Sequence, residues 1–398
     1  MKILVVAGWM YPDAEGGSYR VVYEAGRRLA ERGHEVHVAT QRLDPSHHAE
    51  ETVAGMHVHR YETTAKSGAR FYWSTLRAVR RLATRLQGEV GFDVVHTHHP
   101  VSAFAALRVR ALRAVPAIAT VHSLSFLEHM DRRSQERPGR RIWGPATVGL
   151  VWLENVILER SRRAVVLSDF TRELVSKFFP RHLHKVLKLP GGADMERFRP
   201  EPSRGEARRR LRLPADRPVF FTCRRLEHRM GLPELVEAAA LLLDSGRAAL
   251  VLIGGRGALE EALKQQVRDL RLESVVRLLG YVAEADLPLY YRAADCFVLP
   301  TRALEGFGLA TAEALACGTP VLGTPVGATP ELLGPLDPRL LTRDATAAGL
   351  AEGMMRFLDE LAAEPGLEER CRAYAEEHLS WEPFVDGLEK VSREAAGQ

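Results

Sequence analysis

The feature that most constrains this chain is an alternation that runs through it twice. Short β-branched runs at 3–7, 36–40, 93–97, 117–122 and 164–168 each adjoin an amphipathic segment of helical length. That is the grammar of βαβ units, in which parallel strands joined by crossover helices are buried on both faces. The pattern resumes after residue 202, with strands expected at 219–222, 250–254, 275–279, 296–299 and 320–323. Two doubly wound, Rossmann-like α/β domains follow, and 398 residues suit two cores better than one. The expected bounds are 1–190 and 191–370, with closing helices over 371–398 docking back on the first domain. Between the domains, 189–210 mixes Pro, Gly and charge without an apolar period and reads as a linker.

Charge divides the same way as the pattern. Residues 1–199 hold 31 Lys and Arg against 20 Asp and Glu, while residues 200–398 hold 24 against 31. The first domain therefore suits an anionic partner: phosphates, an anionic lipid surface or nucleic acid. Nucleic acid is the poorest fit, because no basic module with interleaved aromatics is present. The four cysteines, Cys223, Cys296, Cys317 and Cys371, have neither metal-ligand spacing nor a disulfide framework, which suits a reducing compartment. The best apolar run, 146–158, is interrupted by Glu154 and falls short of the roughly 18 residues a spanning helix needs. The N-terminal run lacks the flanks of a signal peptide and reads as a first buried strand. A cytoplasmic location is expected, with peripheral contact at the inner membrane face as an extension of it.

In open α/β sheets ligands collect beyond the carboxyl ends of the strands, so the residues there are the candidates for chemistry. Gly16 and Gly17 follow the first strand and open a helix, where backbone N–H groups can approach a phosphate; an ordinary turn explains them equally. The spacing is not GxGxxG, which counts against a nicotinamide dinucleotide. His96, His98 and His99 share a strand end, but neighbouring strand positions point to opposite faces, so a metal site is not expected. His122 ends the next strand and is better placed for a cleft, against the usual structural role of a lone histidine. In the second domain Arg224, Arg225, His228 and Arg229 gather after a strand. Guanidinium groups grip diphosphates with paired charge-assisted bonds; a solvated basic loop is the alternative. Gly254, Gly255 and Gly257 flank Arg256 in a strand-to-helix turn that permits close backbone approach or is simply tight.

The strongest constellation is Glu305-Gly306-Phe307-Gly308-Leu309 with Glu313 eight positions beyond Glu305. Glu305 follows a strand, and a helix expected from about Phe307 would present free N–H groups to a phosphate. Glu313 then falls about two turns into that helix, beside the same pocket. Exposed helix acids are the alternative, but the Ala- and Leu-rich surroundings imply burial, and a buried acid needs a partner.

At this point the sequence resembles the retaining glycosyltransferases of family 4, which have the two-domain GT-B architecture with two Rossmann-like domains facing a cleft. The resemblance covers nearly the whole chain: GGSYRVVYEAGRRLAERGHEVHV, VVHTHHP, VVLSDFTRELV, LPGGADMERFRP, CRRLEHRMGLPELVEA, LLGYV, LYYRAADCFVLPT and EGFGLATAEALACGTPVLGT. It implies a nucleoside diphosphate sugar donor held mainly by the second domain, an acceptor held by the first, and retention at the anomeric carbon. It implies that Glu305 contacts the donor sugar and that Phe307, Gly308 and Leu309 offer N–H groups to sugar and diphosphate. Glu313 would bind ribose, and Arg225 would hold the leaving diphosphate. His122 would sit near the anomeric carbon, and Gly16 and Gly17 would close on the phosphate. The family's lysine before a glycine is replaced here by Met230, so Arg229 is assigned that role. No cofactor and no metal are expected, since arginines and a helix terminus already neutralise the phosphates.

Rival readings keep the fold and change the chemistry: a sugar-nucleotide epimerase or phosphorylase, or a sugar-nucleotide-binding protein without turnover. The acceptor is a hydroxyl on a glycan, glycolipid or small molecule. The run 69–86 reads as a basic amphipathic helix with an aromatic edge, and 131–141 as a basic loop; both suit an anionic membrane or a phosphorylated acceptor. A solvated helix covering the sheet is the alternative for 69–86.

Overall fold

The β-branched run that opens the chain, Lys2–Val6 (β1), is buried at every position but the first and lies near the middle of an eight-stranded sheet. A computed structural model of the chain describes residues 1–65, 68–136 and 143–398. The other strands of this sheet are β2 (Glu35–Gln41), β3 (Glu50–Val53), β4 (Met56–Tyr61), β5 (Val94–Thr97), β6 (Ala117–Val121), β7 (Arg163–Val166) and β8 (Val186–Lys188). Their order is β3-β4-β2-β1-β5-β6-β7-β8, parallel throughout except for the antiparallel β3–β4 pair. One unit, Met1–Gly191 with Trp381–Gln398, is built on this sheet, and Gly192–Ser380 form a second.

The second unit has five parallel strands: β9 (Val219–Cys223), β10 (Leu250–Gly254), β11 (Val276–Gly280), β12 (Cys296–Leu299) and β13 (Val321–Gly323), in the order β11-β10-β9-β12-β13. Its centre is aromatic: Phe221, Tyr291 and Phe297 pack edge to face with ring centroids 5.2–5.8 Å apart. Helices cover the sheet as the βαβ pattern requires.

Three strands are not visible in the sequence pattern. β4 reads Met-His-Val-His-Arg-Tyr, and its His59 and Arg60 are nonetheless buried, because Arg60 pairs with Asp13 at 2.5 Å and His59 with His37 at 3.0 Å. β3 is acidic and lies at the sheet edge, and β8 is only three residues long. The supposed linker also contains a helix, Arg204–Leu211, whose Ser203 side chain accepts from the Glu206 N–H. The Ser-x-x-Glu spacing of a helix start was there to be read.

The helix Leu367–His378 stays with the second unit, and only Trp381–Ala396 joins the first. That last helix buries Trp381, Phe384, Val385 and Leu388 at i, i+3, i+4 and i+7. Glu382, Asp386 and Glu389 on it converge on Arg32 at 2.6, 2.7 and 3.2 Å, at the end of the helix Gly17–Glu31. His96 at the end of β5 bonds Ser392 of the same helix at 2.9 Å. Of the basic stretch 131–141, residues up to 136 continue the helix Ser125–Glu136 and 137–141 lie outside the described residues.

Candidate functional site

Each sheet has one place where successive strands begin to run outward in opposite directions, and crevices form beyond the strand ends there. In the second unit that place lies between β9 and β12. The chain leaves β9 into Arg224 and leaves β12 into Pro300 and Thr301. The Arg224 guanidinium donates through Nη2 to Glu305 Oε2 at 2.6 Å and through Nη1 to Thr301 Oγ1. Thr301 Oγ1 donates to the same Glu305 oxygen at 2.8 Å. Arg229 lies alongside, its Nη1 donating to the Leu304 carbonyl at 3.4 Å.

Glu305 is 8% exposed. Burial pushes its carboxyl up, but the charge and hydrogen bond of Arg224, the Thr301 hydroxyl and the charge of Arg229 outweigh that and hold it below the ordinary glutamate range. The site therefore keeps an ionised carboxylate in a dry place. The backbone around it is equally fixed. Gly327 and Ala328 pack against Glu305, whose carbonyl accepts from the Ala328 N–H at 2.9 Å. Gly255, at φ +122°, lies against the Arg224 carbonyl so closely that a Cβ there would stand 1.8 Å from the oxygen.

Beyond Glu305 the helix starts at Leu309, two residues later than the sequence suggested. Gly308 takes φ +96°, a left-handed conformation that stops the helix from reaching back to Phe307. The first intrahelical bonds are made by the N–H groups of Thr311 and Ala312 to Gly308, so Leu309 and Ala310 precede them at the positive end of the helix. Glu313 consequently lies just over one turn in, and it accepts the hydroxyl hydrogen of the buried Tyr291 at 3.0 Å. Phe307 is buried. A cavity of about 250 Å³ opens beyond β10 and β11, lined by Leu226, Ile253, Gly255, Lys264, Leu278 and Gly280. The Arg256 guanidinium lies over the Tyr281 ring, 5.3 Å from its centroid.

In the first unit the strand order reverses between β1 and β5, which run parallel. Gly16 caps the helix that begins at Gly17 after β1. Beyond β5 and β6, Nδ1 of His98 lies 3.1 Å from Nε2 of His122, the rings stacked at 5.3 Å. His99 instead packs on Gly8 and the Trp9 ring, so the three histidines of the β5 end diverge. The loop after His122 is tied down on both sides: Ser123 Oγ donates to Glu128 at 2.6 Å and the Ser125 N–H to Glu154 at 2.5 Å.

The structure thus gathers Glu305, Arg229, Gly254, Gly255, Phe307, Gly308, Leu309 and Glu313 in one unit around one switch point, and in the other it puts His122 at a strand end and Gly16 and Gly17 at a helix start. Arg225 departs from this grouping. Its side chain is half exposed and pairs loosely with Glu227 at 3.5 Å, while the neighbouring Arg224 takes the carboxylate. Sequence reasoning named Arg224 only within a basic cluster and His98 only in setting a metal site aside, and it passed over Thr301 and Tyr291. Which of two adjacent arginines turns inward carries no periodic signal at the end of a strand buried on both faces. A buried tyrosine reads simply as core.

Residues 203–378 match the model of the glycosyl transferases group 1, and residues 15–197 that of glycosyltransferase family 4. The D-inositol 3-phosphate glycosyltransferase of Kineococcus radiotolerans is 31% identical, over an alignment covering 96% of this chain and 91% of the relative. Sucrose-phosphate synthase from Thermosynechococcus elongatus superposes with a TM-score of 0.82 at 23% identity, covering 99% of this chain and 98% of that one. Anabaena Alr3699/HepE, solved in complex with UDP and glucose, superposes with a TM-score of 0.76 at 17% identity, covering 98% and 99%. At these identities the two structures speak for a shared fold.

Proposed function

Because the chain belongs to glycosyltransferase family 4 and has its GT-B fold, we propose that it is a retaining enzyme that transfers a sugar from a nucleoside diphosphate sugar to a hydroxyl acceptor. The observation that carries this reading is Glu305, kept ionised beside two arginines and the positive end of a helix. A hydroxyl-rich sugar and an anionic diphosphate are what such a pairing of acceptor and donor groups suits. That HepE was solved with UDP-glucose supports the donor class.

In the transfer, the bond from the anomeric carbon to the diphosphate oxygen breaks and its electron pair leaves with the diphosphate. The acceptor oxygen forms the new bond, and its proton passes to the departing diphosphate. Charge therefore grows on the leaving group, and preorganised cations and N–H dipoles lower the barrier by stabilising it. Arg225 and Arg229 with the N–H groups of Phe307, Gly308 and Leu309 take that role, aided by the turn at Gly254 and Gly255. Glu305 holds sugar hydroxyls, Glu313 holds the ribose, Gly16 and Gly17 close on the phosphate, and His122 lies near the anomeric carbon. With cations built in, no divalent metal is required.

D-inositol 3-phosphate is the acceptor to try first, because relatives carry that name. A second reading of the acceptor side rests on the helix Gly68–Val90. Tyr72 and Trp73 are 46% and 65% exposed on it, and Arg70, Arg77, Arg80 and Arg81 are exposed with them. Its single acid is Glu89 at the far end. Aromatic and cationic side chains on one helix suit an anionic lipid surface and thus a peripheral enzyme. Sedimentation with anionic vesicles at low salt tests this, and the absence of binding removes it.

The donor reading is tested by thermal stabilisation with UDP-, GDP- and ADP-sugars in EDTA, since a ligand that binds only the folded state raises its apparent stability. One base class is expected to stabilise the protein without added metal. No stabilisation by any of them contradicts the reading. Stabilisation with no product favours a binding protein, and sugar rearrangement without diphosphate release favours an epimerase.

A further inference from the structure

The role just proposed for Glu305 requires its carboxylate to be charged and aimed, and neither follows from its being buried. Burial alone works against the first, and a glutamate side chain with three rotatable bonds does not provide the second. Both hydrogen bonds that the structure shows on the carboxylate fall on one oxygen: Oε2 accepts from Arg224 Nη2 at 2.6 Å and from Thr301 Oγ1 at 2.8 Å. Among the described residues no hydrogen bond is made to Oε1. Arg224 in turn holds Thr301 through its other terminal nitrogen, closing a three-membered ring of contacts. The Arg224 side chain is itself only 9% exposed, and its backbone is pinned on both sides. Its N–H donates to the Gly254 carbonyl at 3.0 Å, and its carbonyl is packed against Gly255. Thr301 is fixed likewise, its carbonyl accepting from Thr324 Oγ1 at 2.5 Å.

We propose that Arg224 is a positioning residue for Glu305: with Thr301 it captures Oε2, so that Oε1 is the oxygen presented to the sugar of the donor. This rests on the sugar-holding role proposed for Glu305 and extends it to a residue outside the diphosphate-binding set. A guanidinium suits the task because its planar fork serves two acceptors at once, Glu305 and Thr301, which an ammonium cannot do with the same geometry. The arrangement also divides the labour between adjacent arginines. Arg225 remains half exposed and open to an anion, while Arg224 is committed inward.

The test uses the full chain carrying Arg224→Met and Arg224→Lys, compared with wild type for kcat, KM and the pH dependence of kcat/KM. Arg224→Met leaves Glu305 buried without its cation, so the acid limb of the profile is expected to move up by about 1 to 3 pH units. Misplacement of the carboxylate should lower kcat on the order of 100-fold with a smaller change in KM. Arg224→Lys restores the charge but not the fork, so the acid limb returns toward wild type while kcat stays low. A purely structural arginine would lower the melting temperature and leave the limb where it was, and that result overturns the proposal. If Arg224→Met fails to fold, Arg224→Lys decides: wild-type kcat in it contradicts the need for the fork. If the wild-type protein turns over no sugar nucleotide, the proposed function fails separately. The Glu305 carboxyl titration, followed by carbon NMR and assigned with Glu305→Gln, still reports on Arg224. An unchanged Glu305 titration in Arg224→Met sinks the proposal.

Discussion

His98 and His122 meet nitrogen to nitrogen, Nδ1 of one 3.1 Å from Nε2 of the other, at the carboxyl ends of adjacent strands in the first unit. Two imidazoles can share that contact only if one nitrogen carries a proton and the other does not. Burial pushes His122 down to about 4, and burial with the nearby His122 and His96 pushes His98 well below 6.5. Both rings are therefore neutral at working pH. A base depressed in the fold stabilises it fully above its unfolded value near 6.5, and the stabilisation is lost as pH falls toward the folded value. Wild type should lose stability relative to His122→Gln between pH 6.5 and 4, by as much as about 1.4 kcal/mol per pH unit. Parallel denaturation curves for the two proteins across that window would contradict the assignment.

Glu313 depends on a residue that is otherwise core. Tyr291 is 1% exposed and donates to Glu313 at 3.0 Å. Tyr291→Phe removes a hydrogen bond to a charged group, which contributes about 1.5–3 kcal/mol. If Glu313 binds the ribose, part of that loss appears as weaker donor binding, roughly tenfold in Kd by calorimetry. An unchanged Kd for the nucleoside diphosphate would separate Glu313 from the donor.

Gly255 is fixed by geometry on both of its sides. Its φ of +122° is one that L side chains rarely adopt, and a Cβ would stand 1.8 Å from the Arg224 carbonyl oxygen. Gly255→Ala must therefore move the Arg224 backbone, and a destabilisation of about 2 kcal/mol or more is expected from strain and the displaced contact. Because Arg224 holds Glu305, catalysis should fall with it. A Gly255→Ala protein with wild-type melting and turnover would show the turn to be pliable.

Glu154 provides a pH signature of the opposite sign. Burial pushes its carboxyl up to about 8, against the hydrogen bonds it accepts at the start of the helix Ser125–Glu136 and with help from the nearby Glu128. An acid raised in the fold stabilises it below the unfolded value near 4.5, and that contribution is lost as pH rises through about 8. Glu154→Gln keeps an oxygen for the Ser125 N–H and carries no charge. The variant should gain on wild type steadily from pH 5 to pH 8 in chemical denaturation. A constant gap between the two proteins over that range would contradict the raised value.

What the sequence made legible divides along physical lines. The ten strands with β-branched runs were readable because parallel strands buried on both faces have nowhere to place polar residues. β4 was not, because His59 and Arg60 are buried in it and their burial is made tolerable by partners elsewhere in the chain. At the site, Glu305 and Glu313 were readable from a strand end followed by glycines and a helix. The inward turn of Arg224 rather than Arg225 was not, since it is decided by Thr301 and Glu305, 77 and 81 positions away. The helix start at Leu309 was shifted by the left-handed Gly308, a conformation that a Gly-Phe-Gly sequence permits but does not impose.

The proposed reaction moves a sugar from a nucleoside diphosphate donor, with the charge on the leaving group met by the chain's own cations. The direct measurement is nucleoside diphosphate release by the purified protein, in EDTA, with the donor that stabilises it and with D-inositol 3-phosphate or another hydroxyl acceptor, in wild type and Arg225→Ala. Acceptor-dependent release matched by glycosylated product is expected, unaffected by EDTA and reduced about 100- to 1000-fold in Arg225→Ala. Release that requires a divalent metal, or turnover in Arg225→Ala equal to wild type, would contradict it.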